Sequence, residues 1–466
     1  MASHFASRGA ALLALSSAFA SLAAAQGGLQ VVSSGASSTA MSRDGSALLG
    51  YDANGPFLWR AASGVTAISG GTMVMALSGD GQVVAGTATD PALQVDNPAL
   101  WRAAGGWSHL GGIGGSTVGC PDLGTPWAID DDGSTVVGLA WNACVAQPFR
   151  WDQGSQMIQL AKQGPNARAN AVSGDGRWIG GWDEDPTTGA WRACRWDANG
   201  VQDFPRVRTA DPVGIGNVWG FSTDGTYYCG EDSEGAFVAG PQGVISIGAL
   251  LQDPSSYALG VSDDGGVVVG TLGSGPWAIR RGWIWTRGGG VVMADDLALR
   301  YGWNVPTGLA IERLDSISRD GRRCSGSGLD SNWNGYAFVI DLPQSWTDLG
   351  SALAGTLGAP LLQGSGYSKA GFGAGVELSN VAANGVALLV ASLQSTPIPV
   401  FGGTLVAFPP DVTVALLTDA SGYAALSWTW PAPDAPAGAA LYLQALLPDG
   451  GAPQGFAFSN ALRANF

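Results

Sequence analysis

The stretch Ser78-Gly-Asp80-Gly-Gln-Val-Val-Ala-Gly86 holds the pattern on which the whole chain is built. An Asp-Gly pair between apolar runs marks a hairpin, because the tight turn needs a positive φ that glycine adopts without strain. The serine two residues ahead of the aspartate can accept hydrogen bonds from the turn backbone. The run up to Ser78 is therefore expected to end one strand, and Val-Val-Ala-Gly86 to form the next.

The same pattern recurs at Ser42-Arg-Asp44-Gly, Asp130-Asp-Asp132-Gly, Ser173-Gly-Asp175-Gly, Ser222-Thr-Asp224-Gly, Ser262-Asp-Asp264-Gly and Ser318-Arg-Asp320-Gly. Successive aspartates lie 36 to 56 residues apart, close to the roughly 40–50-residue period of propeller blades. A third strand with a packing aromatic follows each turn, as in Pro56-Phe-Leu-Trp-Arg60, Pro98-Ala-Leu-Trp-Arg102, Ala193-Cys-Arg-Trp196 and Gly282-Trp-Ile-Trp285. A weaker fourth strand comes next, as in Gly106-Trp-Ser-His-Leu110. Each unit reads as a four-stranded antiparallel meander.

The ends of the array supply an independent check. The seventh unit runs into Asp341-Leu-Pro343 and lacks a fourth strand, while Leu29-Gln-Val-Val32 is an orphan strand ahead of the first unit. Set against the seventh unit, that strand would complete the blade and close the ring, removing the open sheet edges that invite aggregation. A linear β-solenoid is the rival, but it needs shorter and more regular rungs. The expected fold is all-β: a seven-bladed β-propeller over residues 26–343, followed by a small β-sandwich-like domain over 344–466.

These units, Ser-x-Asp-Gly followed by Val-Val-Gly and then Ala-Phe-x-Trp, resemble the extracellular HAF repeats of secreted bacterial proteins over about residues 28–343. Asp295-Asp-Leu-Ala-Leu-Arg-Tyr-Gly302, expected as a short helix, shares the likeness. The resemblance implies an exported, propeller-like repeat protein and no particular activity. The histidine, alanine and phenylalanine that give such repeats their name are only partly present. Beyond Trp346 the composition shifts to Ala, Gly, Leu, Ser and Pro, with Lys369 and Arg463 the only bases. Candidate strands there include Gly375–Leu378, Ala387–Leu393, Val412–Leu417 and Leu441–Leu446. The segments Asp348-Leu-Gly350, Gln454-Gly-Phe456 and Ser459-Asn-Ala461 make this module similar to the C-terminal domains of planctomycete-type secreted proteins.

The N-terminus carries Arg8, an apolar run from Gly9 to Leu22, and Ala23-Ala24-Ala25 before Gln26. This is the form of a secretory signal peptide, residues 1–25, cleaved after Ala25. The run is shorter than the ~20 residues of a spanning helix, and no later segment is long and apolar enough to cross. A secreted, periplasmic or cell-surface location follows. With 22 basic against 37 acidic residues, net charge −15, there is no basic face for nucleic acid. Five cysteines suit export and leave an odd one. Cys120 and Cys144 bracket one Asp-Gly turn, and a bridge there would contribute roughly 3 kcal/mol. Cys194, Cys229 and Cys324 could supply one further pair.

Chemistry-bearing residues are few. His109 is the only histidine after the signal peptide and has no nucleophile motif near it, so a structural role is expected. Asp330, Asn332, Asn334 and Asp341 fit the oxygen spacing of a calcium loop, with the shorter Asp where Glu is usual and no flanking helices. A plain Asn-Gly hairpin turn accounts for the same residues. Asp183, Glu184 and Asp185 in the fourth unit and Glu231, Asp232 and Glu234 in the fifth could pair as acid and base in a glycosidase-like cleft. Solvated loops are the favoured reading, since the loops of any soluble β protein carry acids to stay wet. Tryptophans recurring at the third strand belong to packing, whereas Trp127, Trp141, Trp182, Trp219, Trp277, Trp303 and Trp333 fall outside that position and are better placed to stack on a ligand. The leading expectation is a non-catalytic module that binds a glycan or protein through loops on a rigid ring, shaped by the insertions 111–127 and 291–314. The alternative is a carbohydrate-active propeller enzyme.

Overall fold

The computed structural model describes residues 26–114, 123–205, 216–273 and 280–466. The signal-peptide segment 1–25 and Cys120 lie outside them, so the Cys120–Cys144 pairing does too. From residue 28 onward the chain divides into two units, one of 28–285 and 291–342 and one of 286–290 and 343–466.

The first unit is a seven-bladed β-propeller. Six of its four-stranded sheets are meanders of consecutive strands, and the seventh takes its outermost strand from the other end of the chain. There Gly28–Ser34 pairs antiparallel with Gly335–Asp341, in a register that puts Leu29 opposite Ile340 and Val31 opposite Phe338. The orphan strand thus closes the ring as expected. Hydrophobic clusters lie between neighbouring blades: Leu49 and Leu58 of blade 1 meet Val74, Val84 and Trp101 of blade 2. Phe57 and Trp59 of blade 1 meet Ala337 and Val339 of blade 7 across the seam. Phe57, Phe149, Phe237 and Phe338 are at most 1% exposed, and each such burial stabilises by roughly 1.5–3 kcal/mol.

The Asp-Gly turns do more than a two-residue hairpin would. In blade 1 the Gly45 N–H donates to the Ser42 carbonyl, and the Ser42 N–H donates to the Ala47 carbonyl. The loop is therefore longer than expected, and only the glycine takes positive φ, +73° here and 63° to 75° in the other six. Ser42 Oγ donates to Asp44 Oδ1 at 2.6 Å while accepting from the Ala47 N–H at 3.0 Å. Five other serines repeat both bonds, Ser173 for example with Asp175 and the Trp178 N–H. In blade 3 Asp130 stands in place of serine and accepts from Ser134 and from the Thr135 N–H.

The glycine after each second-strand apolar run does not end the strand, which continues for two to four residues beyond it, and it has its own cause. A Cβ on Gly50, Gly138, Gly230 or Gly326 would come within 1.9–2.4 Å of a first-strand carbonyl and within 3.2 Å of the third-strand phenylalanine. A β-bulge interrupts the first strand beside each of these glycines. The three cysteines that could supply a further pair do not: Cys194, Cys229 and Cys324 are free and buried, one each in blades 4, 5 and 7. They pack as small hydrophobes, and burial pushes their thiols well above the usual range.

The second unit is a sandwich of a six-stranded and a three-stranded sheet, with one small hairpin. Its core joins Leu362, Val376 and Leu378 to Leu389, Leu443 and Leu462. Of the three segments that flag the module in sequence, the first and the last are neighbours in space, because Trp346–Gly350 pairs with Ala461–Asn465. Asn460 holds both backbone groups of Leu362, at 2.7 and 3.0 Å.

Candidate functional site

The first strand of every blade contributes to the wall of an axial cavity of about 470 Å³. Each of these strands is interrupted by a bulge, at Thr39, Met75, Trp127, Asn170, Trp219, Leu259 and Asp315. A bulge leaves one residue out of the ladder and re-aims its side chain. All seven of these residues line the cavity. Each stands five positions ahead of the aspartate of its Asp-Gly turn, so one wall ring is fixed by a repeated register.

The turns form the floor. The residue between serine and aspartate faces the next blade, and the links run around the ring. Asp44 N–H donates to the Gly79 carbonyl, Gly79 to Asp131, Asp131 to Gly174, and Asp175 to Thr223. Thr223 N–H then donates to Asp263 Oδ1, Asp263 N–H to the Arg319 carbonyl, and Arg319 N–H back to Arg43. Arg43 crosses the floor, donating to the carbonyls of Phe221 and Val172 in blades 5 and 4. Its Nε lies 3.0 Å from Asp131, which Arg319 approaches at 3.5 Å. Gly79 and Gly174 flank that carboxylate, and a Cβ on either would come within 2.7 Å of it. Burial raises the Asp131 pKa, and the two arginines oppose the rise.

The far end of the wall is richer in chemistry. The Arg168 guanidinium lies over the Trp127 ring, 3.9 Å from its centroid, and 5.7 Å from those of Trp182 and Trp219. Its Nε donates to Asn170 Oδ1 at 2.5 Å, and Asn170 in turn donates to Asn217. Trp219 Nε1 donates to Glu231, whose carboxyl burial pushes up to about 8. Across the mouth Asp315 accepts from Ser38 at 2.6 Å and is ion-paired with Arg313.

Of the acids singled out in sequence, Glu231 alone joins this cluster. Asp183 is fully buried and accepts from the Gln163 and Gly164 N–H groups and from Gln202. Glu184 accepts from Asn166, Asp185 holds the 185–188 turn, and Asp232 accepts from the Glu234 N–H. Among the tryptophans, Trp127 and Trp219 line the cavity, while Trp182 stacks on Trp191 at 4.3 Å. Trp333 stands on an exposed turn, Trp141 and Trp303 are half-buried, and Trp277 lies outside the described residues. His109 is exposed on the outer strand of blade 2.

The calcium spacing is only partly realised in space. Asp330, Asn332 and Asn334 share one turn, in which Asp330 accepts from the N–H groups of Asn332 and Asn334 and from the Asn334 side chain. Asp341 closes the strand Gly335–Asp341 at its other end and is paired with Arg323 at 2.6 Å. The intervening strand, rising about 3.3 Å per residue, separates the two groups. Among the described residues no cluster of three or more His, Cys, Asp or Glu is arranged to hold a metal. No described helix is long and apolar enough to cross a membrane. The wall ring escaped the sequence reading, apart from its two tryptophans; the signal available was the fixed offset from each Asp-Gly aspartate.

No family model and no curated protein matches the chain. Among solved structures it is similar to the β-propeller domain of the Trilobed protease from Pyrococcus furiosus, at 10% identity and TM-score 0.42, over 67% of this chain and 94% of that one. A putative TolB from Agrobacterium tumefaciens aligns at 13% identity and TM-score 0.34, over 66% and 91%. TolB from Acinetobacter baumannii aligns at 14% and 0.33, over 45% of this chain and 51% of that one, so the match spans about half of that protein.

Proposed function

We propose that the protein is an exported, non-catalytic binding propeller of the HAF-repeat kind whose ligand, a glycan unit, enters the axial cavity from the Arg168 end. The wall ring supports this most directly. Seven bulged side chains converge on one space of about 470 Å³, within the range of small-molecule sites. Trp127 and Trp219 offer ring faces, and Asn170 and Thr39 offer hydrogen bonds, on a scaffold closed around them. Cleavage after Ala25 would place the new N-terminus two residues ahead of the ring-closing strand. A Cys120–Cys144 bridge belongs to the same export reading.

A hydrolytic role would fall to Glu231, whose carboxyl burial pushes up to about 8 and which, unlike Asp315, is in no ion pair within 4.0 Å among the described residues. It would need a second free carboxylate across the substrate, and the neighbouring acids are engaged in turns or ion pairs. A glycan array probed with the mature protein and with Trp127→Ala tests the binding role. Retention of a glycan class by the first and its loss in the second is expected. Retention unchanged in the variant would move the site out of the cavity, and cleavage of a retained glycan would restore the enzymatic alternative.

A further inference from the structure

The geometry points to a carboxylate-binding subsite at the mouth of the axial cavity, formed by Arg168 on the Trp127 ring; this rests on the cavity being the ligand site. Arg168 has only its Nε engaged, with Asn170. Among the described residues no acceptor meets its two terminal nitrogens and no carboxylate lies within 4.0 Å of it. Other arginines of the ring are matched: Arg43 with Asp131, Arg195 with Asp203, Arg313 with Asp315 and Arg323 with Asp341. Arg60 likewise has no carboxylate partner among the described residues, but its terminal nitrogen donates to the Gly81 carbonyl, whereas only the Nε of Arg168 is taken.

Fixation is the second element. The stacking on Trp127 and the Arg168–Asn170–Asn217 chain hold the guanidinium plane in place before any ligand arrives. The outer edge of such a fork matches the two oxygens of a carboxylate, and little side-chain freedom remains to be lost on binding. Glu231 does not cancel the charge at neutral pH, since burial pushes its carboxyl up to about 8 against the opposing pull of the Trp219 N–H and of Arg168. The second cation of the mouth, Arg313, is already taken by Asp315. An anion therefore settles on the side of blades 3 to 5, with Trp219 beside it to cover an apolar ring face. The shared ligand chemistry is a carboxylate, carried either by an acidic sugar or by a free organic acid.

Titration of the mature protein with glucuronate, glucose and succinate, followed by tryptophan fluorescence and calorimetry, tests this. Glucuronate is expected to bind at least ten-fold more tightly than glucose, and to weaken as salt is raised. Succinate binding as well as glucuronate would support the subsite and assign it to organic acids; weaker succinate binding would support it and assign it to acidic sugars. Arg168→Gln is expected to remove the preference for glucuronate over glucose, with Arg168→Lys retaining part of it. Equal affinity for glucose and glucuronate would overturn the subsite while leaving the cavity as a glycan site. Binding of none of the three in the cavity, with fluorescence indifferent to Trp219→Phe, would overturn both. Should the Arg168 variants not fold, the wild-type ratio of glucuronate to glucose decides alone.

Discussion

The floor and the wall of the axial cavity are built from the same strands, five residues apart, and obey different rules. At the floor the serine, aspartate and glycine recur nearly unchanged, each making the same bonds in its own blade. At the wall the bulged residue is Thr, Met, Trp, Asn, Trp, Leu and Asp in turn, with no two neighbouring blades alike. Floor side chains close loops and link blades, so the fold dictates them. A bulged residue takes no place in the ladder, so the fold leaves its identity free for a ligand to select.

The sharpest way to break this contrast is at the glycine the bulge leans on. Gly230→Val drives a side chain into the Asn217 carbonyl, 1.9 Å from the Cβ position. We expect a loss above about 4 kcal/mol, seen as insoluble or unfolded protein. Asp131→Ala leaves Arg43 and Arg319 on the floor without a counter-ion. Because the site is partly open, a loss of about 2–3 kcal/mol by urea unfolding is expected, below the 3–5 of a fully buried pair.

Glu231 separates the two levels by pH. Its folded pKa of about 8 lies above the ordinary 4.5, so the folded state holds the extra proton between those values. Stability is then greatest below about 4.5, falls as pH rises towards 8, and levels off above. Glu231→Gln should flatten that slope in a melting-temperature series from pH 5 to 8; an unchanged slope would place the titration elsewhere. Asp130→Ser restores the consensus turn, relieving a carboxylate whose pKa burial raises. A gain of about 0.5–1 kcal/mol is expected. Least of all, Met75→Leu at the wall should change stability by under about 0.5 kcal/mol, and a larger loss would show that the wall is structural after all.

Much of the ring was legible because its signals are local. Asp-Gly with a preceding serine is turn chemistry, and Leu29–Val32 could be assigned by counting which blade lacked a strand. The bulges were not legible in the same way, since an interrupted strand keeps its apolar composition and only its register changes. Trp127 and Trp219 were noticed for being off the packing position, whereas Arg168 carried no signal until the fold laid it on an aromatic face. The calcium spacing shows the opposite limit of a linear reading. Twelve residues of sequence imply a loop only when the chain curls, and here seven of them, Gly335–Asp341, run straight as a strand.

The seam between Gly28–Ser34 and Gly335–Asp341 also sets an order of events. A chain delivered N-terminus first presents its opening strand long before the partner exists, so the array stays an open arc until the last blade arrives. Closure is then the contact of greatest sequence separation in the ring, the kind that slows folding most. The same seam joins two strands that no short loop ties together, so the backbone pairing rather than a connecting loop holds them once the ring is closed.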